Sequence, residues 1–463
     1  VNVPVKIALP KGRLLRKTAA MLHKAGWDLD EYTSNMGFYR PVSRRFPELR
    51  IRVCHEKDIP IQIATGNYDL GICGLDWIEE LLAKYPGSAI VKVMDLGYGR
   101  GTLYMAASGG AGLQSNGTVR IASEYPNLAG AYALKQRLSR FSVFPVWGAA
   151  EAYPPENADL ALVSAKDRAE MAGCGMSPVG RVLDHSAFLI ASRAAWECRD
   201  LDEIVASICG ALSEPEKPPL DDEGPEISPK SYHRREASGA VRLALPDGHQ
   251  QQQTCELLGR AGIRLDDYPS ATGNRRPGID IEGTAVKVIR PQDMPLQVAN
   301  GNFDLAITGR DWLTDHLDQF PSSPVRQILD LGLRRVRLVA VVSQDLAADD
   351  AAGLRELMGG RDEPLRVASE YVNIADRYAR ENHLGYYRVI PTWGATEAFL
   401  PEDADLLIEN TETGRTIARH NLKIIDTLFE STACLIGNAA SLADSARQGR
   451  IEEITNRLRK AIA

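Results

Sequence analysis

The sequence predicts an α/β protein made twice over: two tandem copies, each with mainly parallel sheets flanked by helices and long enough for two small domains. Three observations predict it. Short β-branched runs alternate with helical stretches, a set of motifs returns at a nearly constant spacing, and a stretch rich in proline and charge separates the two sets.

The elements follow in order. Val5–Leu9 reads as a buried strand, and Leu14–Ala25 has the apolar spacing of a helix. Arg50–Cys54 is a strand, and Ile59–Thr65 starts a helix with Pro60 in its first turn. Asp69–Cys73 is again a strand, and Asp76 is expected to cap a helix running through Ala83. Ligands of such sheets bind beyond the carboxyl ends of the strands. The loops Pro10–Arg13, Gly74–Asp76 and Gly97–Gly101 sit at such ends.

The repeat is explicit in the residues. VKIALPKG at Val5 returns as VRLALPDG at Val241, and GNYDLGICGLDW at Gly66 returns as GNFDLAITGRDW at Gly301. Asp95-Leu96-Gly97 returns as Asp330-Leu331-Gly332, Ala122–Tyr125 as Ala368–Tyr371, and Trp147-Gly148-Ala149 as Trp393-Gly394-Ala395. The offset is 236 from Val5 to Val241, 235 from Gly66 to Gly301 and 246 from Ile121 to Val367, with an insertion near Asp345–Asp362. Residues 213–239 have linker composition. The expected division is a first copy at 1–212 and a second at 240–463.

Composition narrows the function classes. Of 463 residues, 44% are apolar and 25% charged, and the net charge of −7 argues against general nucleic-acid binding. The seven cysteines are scattered and form no CxxC pair, so neither a zinc site nor a disulfide framework is expected. The eight histidines form no metal pattern. The N-terminal stretch lacks the pattern of a signal peptide, and no window of 18 uninterrupted apolar residues suggests a membrane span. A cytoplasmic protein is expected, with no nucleic acid or membrane partner.

Several motifs resemble, in order, those of ATP phosphoribosyltransferases: IALPKGRLL, YRP, KDIP, DLGICGLDW, DLGYGRGTL and IASEYPNLA, then ADLLIENTETGRTIARHNL and STACLIGN. The resemblance spans nearly the whole chain, twice, outside the linker. It implies that each copy has the two-lobed form of type II periplasmic binding proteins and matches the short form of the family in length: lobe I at about 1–100 and 184–212 with lobe II at about 101–183, then lobe I at about 240–335 and 428–463 with lobe II at about 336–427. It further implies transfer of the phosphoribosyl group of phosphoribosyl pyrophosphate to N1 of ATP, the first step of histidine biosynthesis. Mg2+ would arrive on the substrate rather than in a protein cage. Short forms work with a regulatory subunit resembling histidyl-tRNA synthetase and assemble through dimers, so such a partner and a homo-oligomer are both candidates.

The site residues are distributed unevenly. Glu409-Asn410-Thr411-Glu412-Thr413-Gly414-Arg415-Thr416 follows an apolar strand and precedes a helix. Gly414 lets backbone amides approach a phosphate, Thr413 and Thr416 add hydroxyls, and a helix N-terminus favours negative charge. These residues, with Thr411, Glu412 and Arg415, are the expected phosphoribosyl pyrophosphate site. Glu409 stands where the family has an acidic residue facing the ribose. The first copy reads Val163-Ser164-Ala165-Lys166-Asp167-Arg168-Ala169-Glu170 there, with two carboxylates and no glycine. Conversely, the first copy keeps Lys11-Gly12-Arg13 and Gly99-Arg100, where the second has Asp247-Gly248-His249 and Arg334-Arg335. Two cations on a glycine turn suit a polyphosphate. The expected ATP-binding set is Lys11, Gly12, Arg13, Arg40, Gly99, Arg100 and Arg290, and the catalytic set Glu409, Arg13 and Lys11.

These complementary losses suggest one composite site, with Lys11, Arg13, Arg40 and Arg100 from the first copy and Glu409–Thr416 from the second. A catalytically inactive regulatory or small-molecule-binding paralogue is the alternative. Trp147 and Trp393 are expected to pack at a lobe edge. Glu151 and Glu397 match a family glutamate near the phosphoribosyl site or cap a helix, and Asp311, like Asp76, is expected to cap one.

Overall fold

The computed structural model describes residues 4–33, 39–108, 118–212, 239–271, 273–394 and 396–462. The predicted linker, apart from Gly239, lies outside the described residues, as does Ala395. The fold is α/β: two repeated halves with four five-stranded sheets and flanking helices.

In the first copy the lobe I sheet runs in the order Arg50–His55, Lys6–Lys11, Leu70–Gly74, Ala187–Ser192, Ile90–Asp95. Ala187–Ser192 is antiparallel to both of its neighbours, while Lys6–Lys11 is parallel to both of its own. The inner strands read as apolar runs rather than alternating ones because helices cover both faces. Ile7, Ala8 and Leu9 are all fully buried. Lobe II repeats the plan with Phe141–Pro145, Val119–Ser123, Leu160–Ala165, Gly101–Ser108 and Met176–His185.

The chain passes between the lobes twice, side by side. Leu96 N donates to Ala187 O at 2.9 Å, and Ala187 N donates to Tyr98 O at 2.8 Å. The second copy has the same crossing, with Leu331 N on Ala433 O and Ala433 N on Leu333 O, both at 2.9 Å. Its long strand Leu422–Ser431 belongs to the lobe II sheet and carries that lobe past the expected boundary at 427. The insertion holds a helix, Ala351–Met358, capped by Asp350 through Gly353 N.

Two compact units result, and they do not follow the copies throughout. The first comprises Val1–Phe144, Leu160–Pro229 and Thr392–Asp403; the second comprises Pro145–Asp159, Lys230–Pro391 and Ala404–Ala463. Each unit therefore includes a short segment of the other copy. Within the second unit, Pro145–Asp159 is pinned by buried polar groups. Lys287, 7% exposed, donates to Asn157 Oδ1 at 2.8 Å, Glu156 Oε2 at 2.5 Å and Tyr153 O at 3.3 Å. Asp293 accepts from Trp147 N at 3.0 Å and from the Tyr153 hydroxyl at 3.3 Å. Burial alone would raise the Glu156 carboxyl, but Lys287 and Arg276 outweigh it and hold it below the ordinary range. In the first unit Arg52 pairs with Glu402, and the Tyr68 hydroxyl bonds Asp403.

Replacing Lys287 with Met leaves Glu156 and Asn157 without their buried cation. Arg276 still pairs with the half-exposed Glu156, so the expected cost is about 2 kcal/mol of unfolding free energy, chiefly from Asn157, read by urea denaturation; a loss under about 0.5 kcal/mol would show that the cluster is solvated.

Candidate functional site

The first unit's cleft is built around one guanidinium. The strand Lys6–Lys11 ends at Gly12, whose φ of +96° turns the chain sharply. Arg13 then points back across the strand ends. Its Nη2 donates to both oxygens of Asp76, at 2.8 and 2.6 Å, and its Nε to Glu56 at 3.0 Å. Asp76 is fully buried and also accepts from the Tyr125 hydroxyl, which reaches it from lobe II at 2.8 Å. Burial works against the Arg13 charge, yet Asp76, Glu56 and Tyr125 outweigh it and hold the guanidinium more firmly protonated than usual.

The cleft has a volume of about 610 Å3. Six basic side chains line it among the described residues (Lys11, Arg13, Lys17, Lys57, Arg100 and Lys166) against three carboxylates, Glu56, Glu124 and Glu170. Lys11 Nζ donates to the Tyr39 hydroxyl at 2.8 Å. Lys57 pairs with Glu124 at 2.9 Å and lies 4.8 Å from the centre of the Trp77 ring. Arg100 stands 3.6 Å from Asp95. His55 registers this excess of positive charge: burial, then Lys57, Lys11 and Arg13, push its imidazole down to about 4. A second imidazole, His185, shares a hydrogen bond with Ser164 at 2.9 Å and is lowered chiefly by burial.

The turn expected from the sequence to hold a phosphate differs between the copies. In the first, Asp167 caps the short helix Arg168–Gly173 by accepting from Glu170 N at 2.8 Å, while Glu170 accepts from Lys166 N at 2.6 Å. The chain's own carboxylates thus occupy these two turn amides. In the second copy Gly414 adopts φ +74°, Gly414 N donates to Thr411 Oγ1 at 2.9 Å, and Arg415 N to Thr413 Oγ1 at 3.4 Å. The following helix, Arg415–Arg419, has only five residues, so the macrodipole expected from the sequence is weak.

The second unit's cleft, about 340 Å3, has the opposite polarity. Among the described residues Asp247, Asp311, Glu370 and Glu409 face two arginines, Arg290 and Arg334. Arg290 Nη1 donates to Asp247 at 3.2 Å, Arg275 pairs with the same carboxylate, and Arg275 Nε lies 3.5 Å from Glu151. Asp311 accepts from the Tyr371 hydroxyl at 2.6 Å and from Ser431 at 3.1 Å, and Asn410 Nδ2 donates to Tyr371 at 2.7 Å. A Cβ on Gly148 would come within 3.0 Å of Arg290 Nε, so the Trp147 segment packs tightly on this arginine.

The predicted residues therefore divide. Lys11, Gly12, Arg13, Gly99 and Arg100 line the first unit's cleft together with Ser164, Lys166 and Glu170 of the same copy. Glu409 and Arg290 line the second unit's cleft, whereas Thr411, Glu412, Thr413, Gly414, Arg415 and Thr416 are not among its lining residues; Glu412 lies 3.5 Å from Arg334. Arg40 is not among the residues lining the first cleft: it bonds Leu400 O and pairs with Glu402 at 3.2 Å, where Thr392–Asp403 packs against it. Asp76 and Asp311 cap no helix; Gly74 and Gly309 hold those cap positions, and the aspartates turn inward to Tyr125 and Tyr371. Trp147 packs, with its ring 5.4 Å from that of Trp312. The sequence reading missed Asp76, Tyr125 and Lys57 as site residues. The repeated LDW/RDW and ASEY motifs were the signal for the first two.

Among the described residues no helix is long and apolar enough to cross a membrane, and no group of three or more His, Cys, Asp or Glu is placed to hold a metal ion.

The HisG family of ATP phosphoribosyltransferases matches residues 55–214 and 290–460, and the chain belongs to that family of glycosyltransferase-type enzymes. It is 32% identical over 231 residues to the ATP phosphoribosyltransferase of Chlorobaculum parvum, covering 49% of this chain and 73% of that protein. It is 33% identical over 232 residues to that of Geotalea uraniireducens, covering 49% and 74%. Among solved structures, the ATP phosphoribosyl transferase (HisG:HisZ) complex from Thermotoga maritima aligns with a TM-score of 0.40 and 20% identity, over 48% of this chain and 98% of that one.

His55 supplies a direct probe of the first cleft. Its folded-state midpoint lies below that of an ordinary histidine, so between about pH 6.5 and 4 the unfolded chain binds the extra proton and stability falls as pH falls. An NMR titration is expected to give a midpoint near 4 for His55; an ordinary midpoint near 6.5 would mean that the imidazole is neither buried nor faced by the converging cations.

Proposed function

We propose that this chain transfers the phosphoribosyl group of phosphoribosyl pyrophosphate to N1 of ATP, as a cytoplasmic enzyme of histidine biosynthesis, and that both copies serve the turnover. The observation that supports the second clause is the division of anion-binding equipment. The first copy keeps the cations but fills its own phosphate-turn amides with Asp167 and Glu170. The second keeps the Gly414 turn but places Asp247 where the first has Lys11.

In this reaction N1 of adenine forms a bond to C1 of the ribose as the bond to the diphosphate breaks. Positive charge grows on the sugar ring and negative charge on the leaving group, which departs with its Mg2+ as part of the substrate. Lys11 and Arg100 offset polyphosphate charge, while Arg13 is fixed by Asp76 and Glu56 and needs no reorganisation to do the same. Glu409 accepts from the ribose hydroxyls, and amides and hydroxyls of Thr411–Thr416 hold the 5′-phosphate. A separate regulatory subunit resembling histidyl-tRNA synthetase and self-association remain part of this proposal.

One specific observation favours an inactive paralogue: in each unit an internal carboxylate occupies groups that suit a phosphate. A single assay separates the readings. The purified chain is mixed with ATP, phosphoribosyl pyrophosphate and Mg2+, with and without a regulatory subunit, and phosphoribosyl-ATP is followed by ultraviolet absorbance. Turnover is expected, and Arg13→Ala and Gly414→Arg are each expected to lower kcat/KM by about 100-fold or more. Full activity in Gly414→Arg with loss in Arg13→Ala would assign turnover to the first unit's cleft alone. Silence under every condition would leave the inactive reading standing.

A further inference from the structure

We infer that Asp247 is an internal anion that keeps the triphosphate of ATP out of the second unit's cleft, and so determines which of the two units' clefts takes a triphosphate. This rests on the reading above that the first unit's cleft holds the triphosphate of ATP.

Two equivalent strand ends carry opposite charges. In the first unit the strand Lys6–Lys11 ends in the Lys11 ammonium, beside His55 on the neighbouring strand. In the second unit the strand Val241–Pro246 runs into Asp247, whose backbone N–H bonds Ile289 O at 3.1 Å. The Asp247 side chain is only 14% exposed. Arg290 donates to one of its oxygens at 3.2 Å, and Arg275 pairs with the other.

Two guanidinium groups converging on one point are what a phosphate group requires of a site. Here a carboxylate already meets that requirement. An entering triphosphate would have to displace Asp247 from both arginines and then lie against its charge, and each of those steps is unfavourable. The remaining lining adds to the repulsion of a triphosphate, since Asp311 and Glu370 are also acidic. The first unit's cleft has no carboxylate at the equivalent position and is the larger of the two, about 610 against about 340 Å3.

Binding of inorganic triphosphate to the full chain, measured by titration calorimetry, tests the assignment. The wild-type chain is expected to bind one equivalent. Asp247→Asn is expected to add a second, at least about tenfold tighter than any second-phase binding in the wild type, which corresponds to about 1.4 kcal/mol. Adding Arg290→Gln to Asp247→Asn is expected to abolish the second equivalent and leave the first. Asp247→Ser replaces Asp247→Asn should the latter lose its cooperative melting transition. One equivalent in both wild type and variant, or two in the wild type, overturns the inference and leaves the transferase reading intact. A wild-type chain that binds none overturns the reading beneath it, and the inference falls with it.

Discussion

A buried aspartate at the start of one helix anchors each cleft. Asp76 in the first unit and Asp311 in the second sit in the first turn after the third strand, with exposures of 0% and 5%. A carboxylate at such a site is costly unless every lone pair is met. Tyr125 and Tyr371 meet part of that demand from the opposite lobe, so the same bond that satisfies the charge also fixes the lobes to each other. Stacking of Trp77 on Tyr125, with ring centres 4.2 Å apart, and of Trp312 against Tyr371, at 4.4 Å, reinforces that link. Beside it, Glu80 accepts from Asn127 N and Leu128 N, and Asp315 from Asn373 N and Ile374 N.

What completes the aspartate's shell decides the character of each cleft. In the first unit Arg13 supplies a full positive charge and is itself oriented by Glu56. In the second, His249 occupies the position of Arg13, and Ser431 completes the shell with a neutral hydroxyl. The aspartate is satisfied in both cases, so the fold tolerates either solution. The electrostatic consequences differ greatly, because the first arrangement leaves a cleft with an excess of cations and the second one with an excess of carboxylates.

Much of the fold was legible because its signals are local. Apolar runs, turn glycines and the twofold return of the motifs place strands and helices to within a few residues. Asp76 was misread as a cap for a physical reason: an acidic residue in a first helical turn usually faces the amides, and only the tertiary fold brings Arg13 and Tyr125 to it. The surroundings of Arg40 were hidden for the same kind of reason, since its partners Leu400 and Glu402 lie far along the chain. The membership of Pro145–Asp159 in the second unit and of Thr392–Asp403 in the first left no local trace in either segment. By contrast, the charge reversal at Asp247 was visible from the alignment of the repeats, although its pairing with Arg275 and Arg290 was not.

Duplication removes a constraint that binds a symmetric pair of identical chains. There, any substitution appears at two equivalent places, so a carboxylate that fills one phosphate turn fills both. In one chain carrying two copies, Asp167 and Glu170 alter only the first turn, and Asp247 only the second strand end. Each of these carboxylates is satisfied by groups that otherwise suit a phosphate, namely turn amides in one case and paired guanidinium groups in the other. A polar group that loses its ligand must find another partner or carry a desolvation cost. An internal carboxylate supplies that partner with little change of shape. The two copies have diverged along this route, keeping their strand order and their buried aspartate while parting in charge.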